Sequence, residues 1–181
     1  MERHSNPILG RASVRPQVAS RLLFNGSGSK LRYVLIAWPI ATVPTLLLLP
    51  FFYTAKVMLD IEVPRMNLTY GFAVAALIAA PLIETGLMLF VYYLLGLVIW
   101  RSRALRALVL ATLAALAHVS SFGGWLHVIA VAWLFVVLSV ALAAWVEHRA
   151  RDAFFVVTGI HLLHNMVVLA IAALLTAQYA A

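Results

Sequence analysis

The 181-residue chain contains no cysteine. That excludes a disulfide, a thiolate zinc site, a thiol nucleophile and S-palmitoylation, and leaves carboxylate, imidazole, hydroxyl and amide groups to carry any chemistry. Charge is scarce as well: only 10% of residues are charged, with six Asp and Glu in all. Hydrophobic residues make up 65% and the mean hydropathy is +1.01, against roughly 45–50% apolar usage in soluble domains. This is the composition of an integral membrane protein. Five spans of about 20 residues with short links would use nearly all of the chain, so no separate soluble catalytic domain fits. The net charge of +7 invites comparison with nucleic-acid binders, but the basic residues are distributed as membrane topology requires, and no nucleic-acid partner is expected.

Residues 1–30 carry Arg3, Arg11, Arg15, Arg21 and Lys30 among Ser, Asn and Gly, end in the flexible-looking NGSGSK, and hold no apolar core of a signal peptide. They are expected to form a cytoplasmic basic tail near anionic lipid headgroups, with residues 31–181 as the transmembrane helical domain. Apolar runs follow at about 32–53, 68–100, 104–121, 125–146 and 153–179. The first contains Pro39, Pro44 and Pro50 and is expected to kink; the second is too long for one upright span and contains Pro81, so it is expected to tilt, break, or both. Lys and Arg number six before the first run, then two, three, none, two and none in the successive links and tail. Alternate segments thus hold eleven and two. With five spans, the positive-inside rule puts the N-terminus in the cytoplasm and the C-terminus outside. The expected fold is an all-α polytopic transmembrane bundle, without internal repeats.

A charged side chain at a helix centre costs about 2.5–3.5 kcal/mol on insertion scales, so each polar residue deep in a span needs a reason. Glu84, in PLIETGLMLF, lies about 25 Å from Arg101 along a helix. His118, in LAALAH, is about 18 Å past Arg106, while His161 and Asn165, in GIHLLHN, are about 13 and 20 Å past Asp152. These depths overlap. His161 and Asn165 are spaced i, i+4 and share a helix face; His164 is turned slightly aside and is a supporting candidate. A single intramembrane His is most often a hydrogen-bonder between helices. His127 near the outer interface, His148 in a charged loop, and the belt or core tryptophans Trp38, Trp100, Trp125 and Trp145 fit such structural roles. That reading weakens for polar residues from three spans at compatible depth, because inside a bundle they face the interior and can meet.

A desolvated glutamate is a competent general base toward water, a neighbouring imidazole can orient it or share its proton, and the remaining His and Asn can donate to an oxygen gaining charge. Peptide hydrolysis needs no more than that. Ser120 and Ser121 lie beside His118 and are further hydroxyls near the site. Zinc on Glu84, His118 and His161 is the rival chemistry, but HExxH spacing is absent and no cofactor is expected. A proton path through the same groups needs polar steps to both faces, and the cytoplasmic ends of these spans show none.

PLIETGLMLF, LAALAH and GIHLLHN, in this order and each on its own span, resemble the CPBP family of intramembrane glutamate-type proteases, also called the Abi or CAAX-protease family. That family carries EExxxR, then FxxxH, then HxxxN or HxxxD. The resemblance covers roughly residues 68–170. It implies that Glu84 activates water, that His118 assists it, and that His161 and Asn165 form the oxyanion site. Thr85 and Leu89 stand where the family has its second Glu and its Arg, and Ala114 stands where it has Phe. Replacing both members of a charge pair by less polar groups can be nearly neutral. The expected function is therefore an intramembrane endopeptidase of a bacterial inner membrane, cleaving a membrane-embedded, lipidated or C-terminal segment of a protein or peptide. The alternative is an inactive relative that serves as an immunity factor or accessory scaffold.

Overall fold

A computed structural model describes residues 23, 26, 28–60, 69–100, 102–120 and 124–178. Most of the expected basic tail, the polar link at 61–68, Arg101 and Ser121 lie outside the described residues. Among those described there is no strand: the chain is an all-helical bundle of α1 (Lys30–Met58), α2 (Tyr70–Val74), a π-helical stretch (Ala75–Ala79), α3 (Ala80–Val98), α4 (Arg103–Leu116), α5 (Trp125–Trp145) and α6 (Ala150–Gln178). Four segments are long and apolar enough to cross a membrane: 30–52 of α1, the continuous span 70–98, α5, and 150–174 of α6. Their outward faces carry large apolar side chains, with Leu47, Leu97 and Leu174 at 74%, 81% and 67% exposure. Such a surface belongs in lipid, and the chain is a membrane protein.

The apolar run at 104–121 departs from a full span. α4 has only 14 residues, a length of about 21 Å against a hydrocarbon core of about 30 Å. It starts at Ser102, whose hydroxyl accepts the Leu105 N–H at 3.2 Å as an N-cap, and gives way to turns over 117–120. α1 runs helical through all three of its prolines. In the second span, the expected disturbance at Pro81 takes the form of a π-helical stretch immediately before it.

α5 is the hub, packed by α1, α4 and α6. Leu134, Phe135, Leu138, Leu142 and Trp145 on it are almost fully buried. The starts of α1, α4 and α6 and the end of α5 gather at one charged end. There Lys30 Nζ meets Asp152 Oδ1 at 2.5 Å, and Arg103 pairs with Glu147. The segment before α1 also docks on this end: Tyr33 donates its hydroxyl to the Leu23 carbonyl at 2.6 Å, and its ring meets Trp145 edge-on at 5.5 Å.

Gly26 in the NGSGSK stretch is buried rather than loose. A Cβ there would lie 2.5 Å from the Ala144 carbonyl oxygen, a backbone atom that cannot step aside. Gly26→Ala should therefore lower stability by about 1–3 kcal/mol, as overpacking does. Gly71→Ala, with nothing within 4 Å, should be neutral; thermal unfolding of both variants in detergent checks the contrast.

Candidate active site

The span 70–98 and α6 lie side by side, with Glu84 opposite His161 and Ala76 opposite Asn165. Positions that fall along one partner rise along the other, so the two helices run antiparallel. One Glu84 oxygen, Oε2, is 3.8 Å from His161 Nε2, and the other, Oε1, is 3.8 Å from His118 Nε2. One carboxylate is thus held between two imidazoles from two other helical segments. Both separations exceed a direct hydrogen bond and leave room for a small oxygen ligand to bridge beside each pair. The His161 side chain is 5% exposed, whereas those of Glu84 and His118 keep 29% and 24%. The cluster is closed on the α6 side and open toward α3 and α4.

His118 reaches this depth because α4 stops short. The ring sits in the turn after the helix, where its Nδ1 lies 2.8 Å from the Ala114 carbonyl. A carbonyl only accepts, so Nδ1 carries the proton. In a neutral ring, Nε2 then has its lone pair turned toward Glu84. Nε2 is thus the atom through which His118 can meet Glu84 by way of a bridging oxygen. The His118 ring also packs on Phe135 at 4.9 Å and lies 5.8 Å from the His127 ring, while Phe135 meets His161 at 6.2 Å. His127 is nearer the cluster than an interfacial role implies. The signal for it was there: it follows His118 by nine residues across a short Gly-containing link, which returns the chain to the same depth.

Asn165 is engaged through Nδ2, which donates to the Ala76 carbonyl at 2.8 Å. The partner is set by Pro81. Within the π-helical stretch, the Ala80 N–H bonds to the Ala75 carbonyl, so the donor an α-helix would give Ala76 is used elsewhere. The π register would assign Ala76 the N–H of residue 81, and proline has none. Ala76 is left without a helical donor, and Asn165 supplies one. An amide nitrogen has a second N–H, free to serve another acceptor. His164 points away from the cluster toward α1, its Nδ1 3.2 Å from Thr42 Oγ1 in a buried contact. Ser120 is exposed in the turn after α4. Thr85 is fully buried, and Leu89 packs against the core.

Among the described residues, no three His, Asp or Glu side chains are set to hold a metal ion. The two Nε2 atoms face different oxygens of one carboxylate rather than a shared centre. Comparisons with protein-family models, curated proteins and solved structures give no match to this chain.

The Ala76 contact predicts a coupling. Asn165→Ala alone should destabilise the bundle by about 1–3 kcal/mol, the cost of an unsatisfied buried acceptor. In a Pro81→Ala background, where residue 81 regains an N–H, the same change should cost clearly less. Thermal unfolding of the four proteins of that cycle gives the coupling, and additive effects would refute it.

Proposed function

We propose that this protein is an intramembrane peptidase in which Glu84 activates the attacking water. The observation that carries the reading is the Glu84 carboxylate set 3.8 Å from both His118 Nε2 and His161 Nε2, inside a bundle whose helices are long enough to cross a membrane. A carboxylate set between two imidazoles in an apolar bundle is costly to build. Water held on the Glu84 oxygens gives its proton to the carboxylate while its oxygen attacks a peptide carbonyl, forming the new C–O bond. His118, with Nδ1–H fixed on Ala114, accepts or shares that proton through Nε2. The proton then passes to the leaving amine as the C–N bond breaks. His161, and the second N–H of Asn165 one turn away, donate to the tetrahedral oxygen; one such donor is worth roughly 10²–10³ in rate.

The likeness to the CPBP family supports the same assignment residue by residue. Thr85 and Leu89, where the family has Glu and Arg, are accommodated as a buried hydroxyl and a packed apolar side chain, so no unpaired charge is left behind. The lipid-facing surface and the side exposure of Glu84 suit a membrane-embedded or lipid-anchored peptide as substrate, and the cytoplasmic placement of the charged end follows the positive-inside rule. An Ala- and Leu-rich chain of this kind fits a bacterial inner membrane. The missing Glu and Arg favour a second reading, a non-enzymatic immunity factor or scaffold that uses the cluster to hold helices together.

Glu84→Gln separates the two. It keeps the shape and hydrogen-bonding capacity of the side chain but removes the base. In cells or proteoliposomes, profiling of membrane-protein C-termini should show products with the unsubstituted chain, and their formation should fall at least about 10²-fold with Glu84→Gln and with His161→Ala. Unchanged products from a folded Glu84→Gln protein would remove the peptidase reading.

A further inference from the structure

Hydroxyls inside a membrane helix usually donate to the carbonyl four residues back, and Thr45, Thr54 and Thr112 do so, at 3.3, 2.9 and 3.0 Å. Thr85, Ser139 and Thr158 do not. Their buried oxygens have no hydrogen-bond partner among the described residues, and neither do Glu84 Oε2 and His161 Nδ1 beside them. They come from three different helices. Thr85 follows Glu84, Thr158 is a turn before His161, and Ser139 is a turn beyond Phe135, whose ring lies against His161. Each step leads from Glu84 toward the charged end.

A second group continues in the same direction. Tyr92 OH, Arg106 Nε and Trp145 Nε1 are also buried without a hydrogen-bond partner. The Arg106 guanidinium lies 4.8 Å over the Tyr92 ring. Tyr92 is seven residues beyond Thr85 and Trp145 six beyond Ser139, about 9–10 Å along their helices. That interval spans about three water-to-water hydrogen bonds of roughly 2.8 Å. The last atom of this kind among the described residues, Trp38 Nε1, lies a turn before Thr42 on the same side of the bundle. On the far side of the cluster the polar contacts are closed: Thr42 with His164, Asn165 with Ala76, and Trp133 Nε1 with the Ile40 carbonyl at 2.7 Å.

Buried polar atoms without protein partners are met by ordered water, typically about three hydrogen bonds per molecule, and hydrated interiors in membrane proteins occur where side chains line a cavity. We infer that a file of water molecules enters the bundle at the charged end, passes Tyr92, Arg106 and Trp145, is held by Ser139, Thr158 and Thr85, and ends on Glu84 Oε2 and His161 Nδ1. The file brings water to the carboxylate from the charged end. The polar steps it needs are hydroxyls and ring N–H groups, which a search for charged residues overlooks. It stands on the unpaired atoms and holds whether or not Glu84 hydrolyses peptides.

The absence of native cysteine makes the test direct. Ser139→Cys and Thr158→Cys are made singly in the full-length protein in sealed vesicles, with Leu110→Cys, 2% exposed in the apolar core, as the dry control. Arg103→Cys at the charged end reports which face is which. The probes are Ag⁺ and a small methanethiosulfonate added to either side. Both test thiols should react from the charged-end side at least about tenfold faster than Leu110→Cys. Reaction no faster than that control with either probe, or faster from the opposite face, overturns the file. Hydroxyl-radical labelling of the unsubstituted protein supplies a reading that needs no variant. Tyr92 should be oxidised well above Leu110, although each is 2% exposed; equal protection of the two side chains also overturns it.

Discussion

Everything around the candidate site depends on one backbone oxygen, the Ala76 carbonyl. Lipid offers it no water, so a carbonyl that loses its helical donor must find one inside the bundle. Pro81 removes an N–H, the π-helical turn spends the next one on Ala75, and Asn165 of α6 answers what is left. The bond fixes the register between two antiparallel helices. Within that register Glu84, farther along the proline span, reaches His161, one turn back on α6. The proline, often read only as a kink, is the reason the amide is where it is.

A second constraint is the length of α4. A full-length span in this place would carry His118 past the level of Glu84 or leave it on a helix face. Fourteen residues followed by turns instead end the helix beside Glu84, where the ring folds back on the Ala114 carbonyl and presents Nε2 to the carboxylate. Irregular backbone at that depth is tolerated where it is buried in protein or lines a wet cavity. The short helix and the buried carboxylate therefore belong to one arrangement, each making the other affordable.

The apolar runs, the depths of the polar residues and the i, i+4 pairing of His161 with Asn165 were legible because membrane thickness converts residue count into position. That put Glu84, His118 and His161 at compatible depths, while which helix faces meet is set by packing. The fate of Asn165 was not legible, since it turns on a hydrogen-bond register within the π stretch that no hydropathy pattern encodes. The end of α4 at Leu116 was hidden because Ala117 and Val119 are apolar enough to continue a helix. Gly26 looked like linker and is a close contact, because a glycine that permits motion and one that permits approach are identical in sequence.

The bundle is polar on one side of Glu84 and closed on the other, and the two conditions need each other. A carboxylate in hydrocarbon with no route for water would be a permanently stranded group, with protons neither arriving nor leaving on a useful timescale. A route open to both faces would let ions and protons leak across the membrane. Closing the far side with Thr42–His164, Asn165–Ala76 and Trp133–Ile40 lets the near side stay wet without making a pore. The hydrogen bonds that hold α6 to α1 and to the proline span therefore lie on the side of Glu84 away from the unpaired polar atoms, so His164 and Asn165 shape its surroundings even through contacts that never touch it.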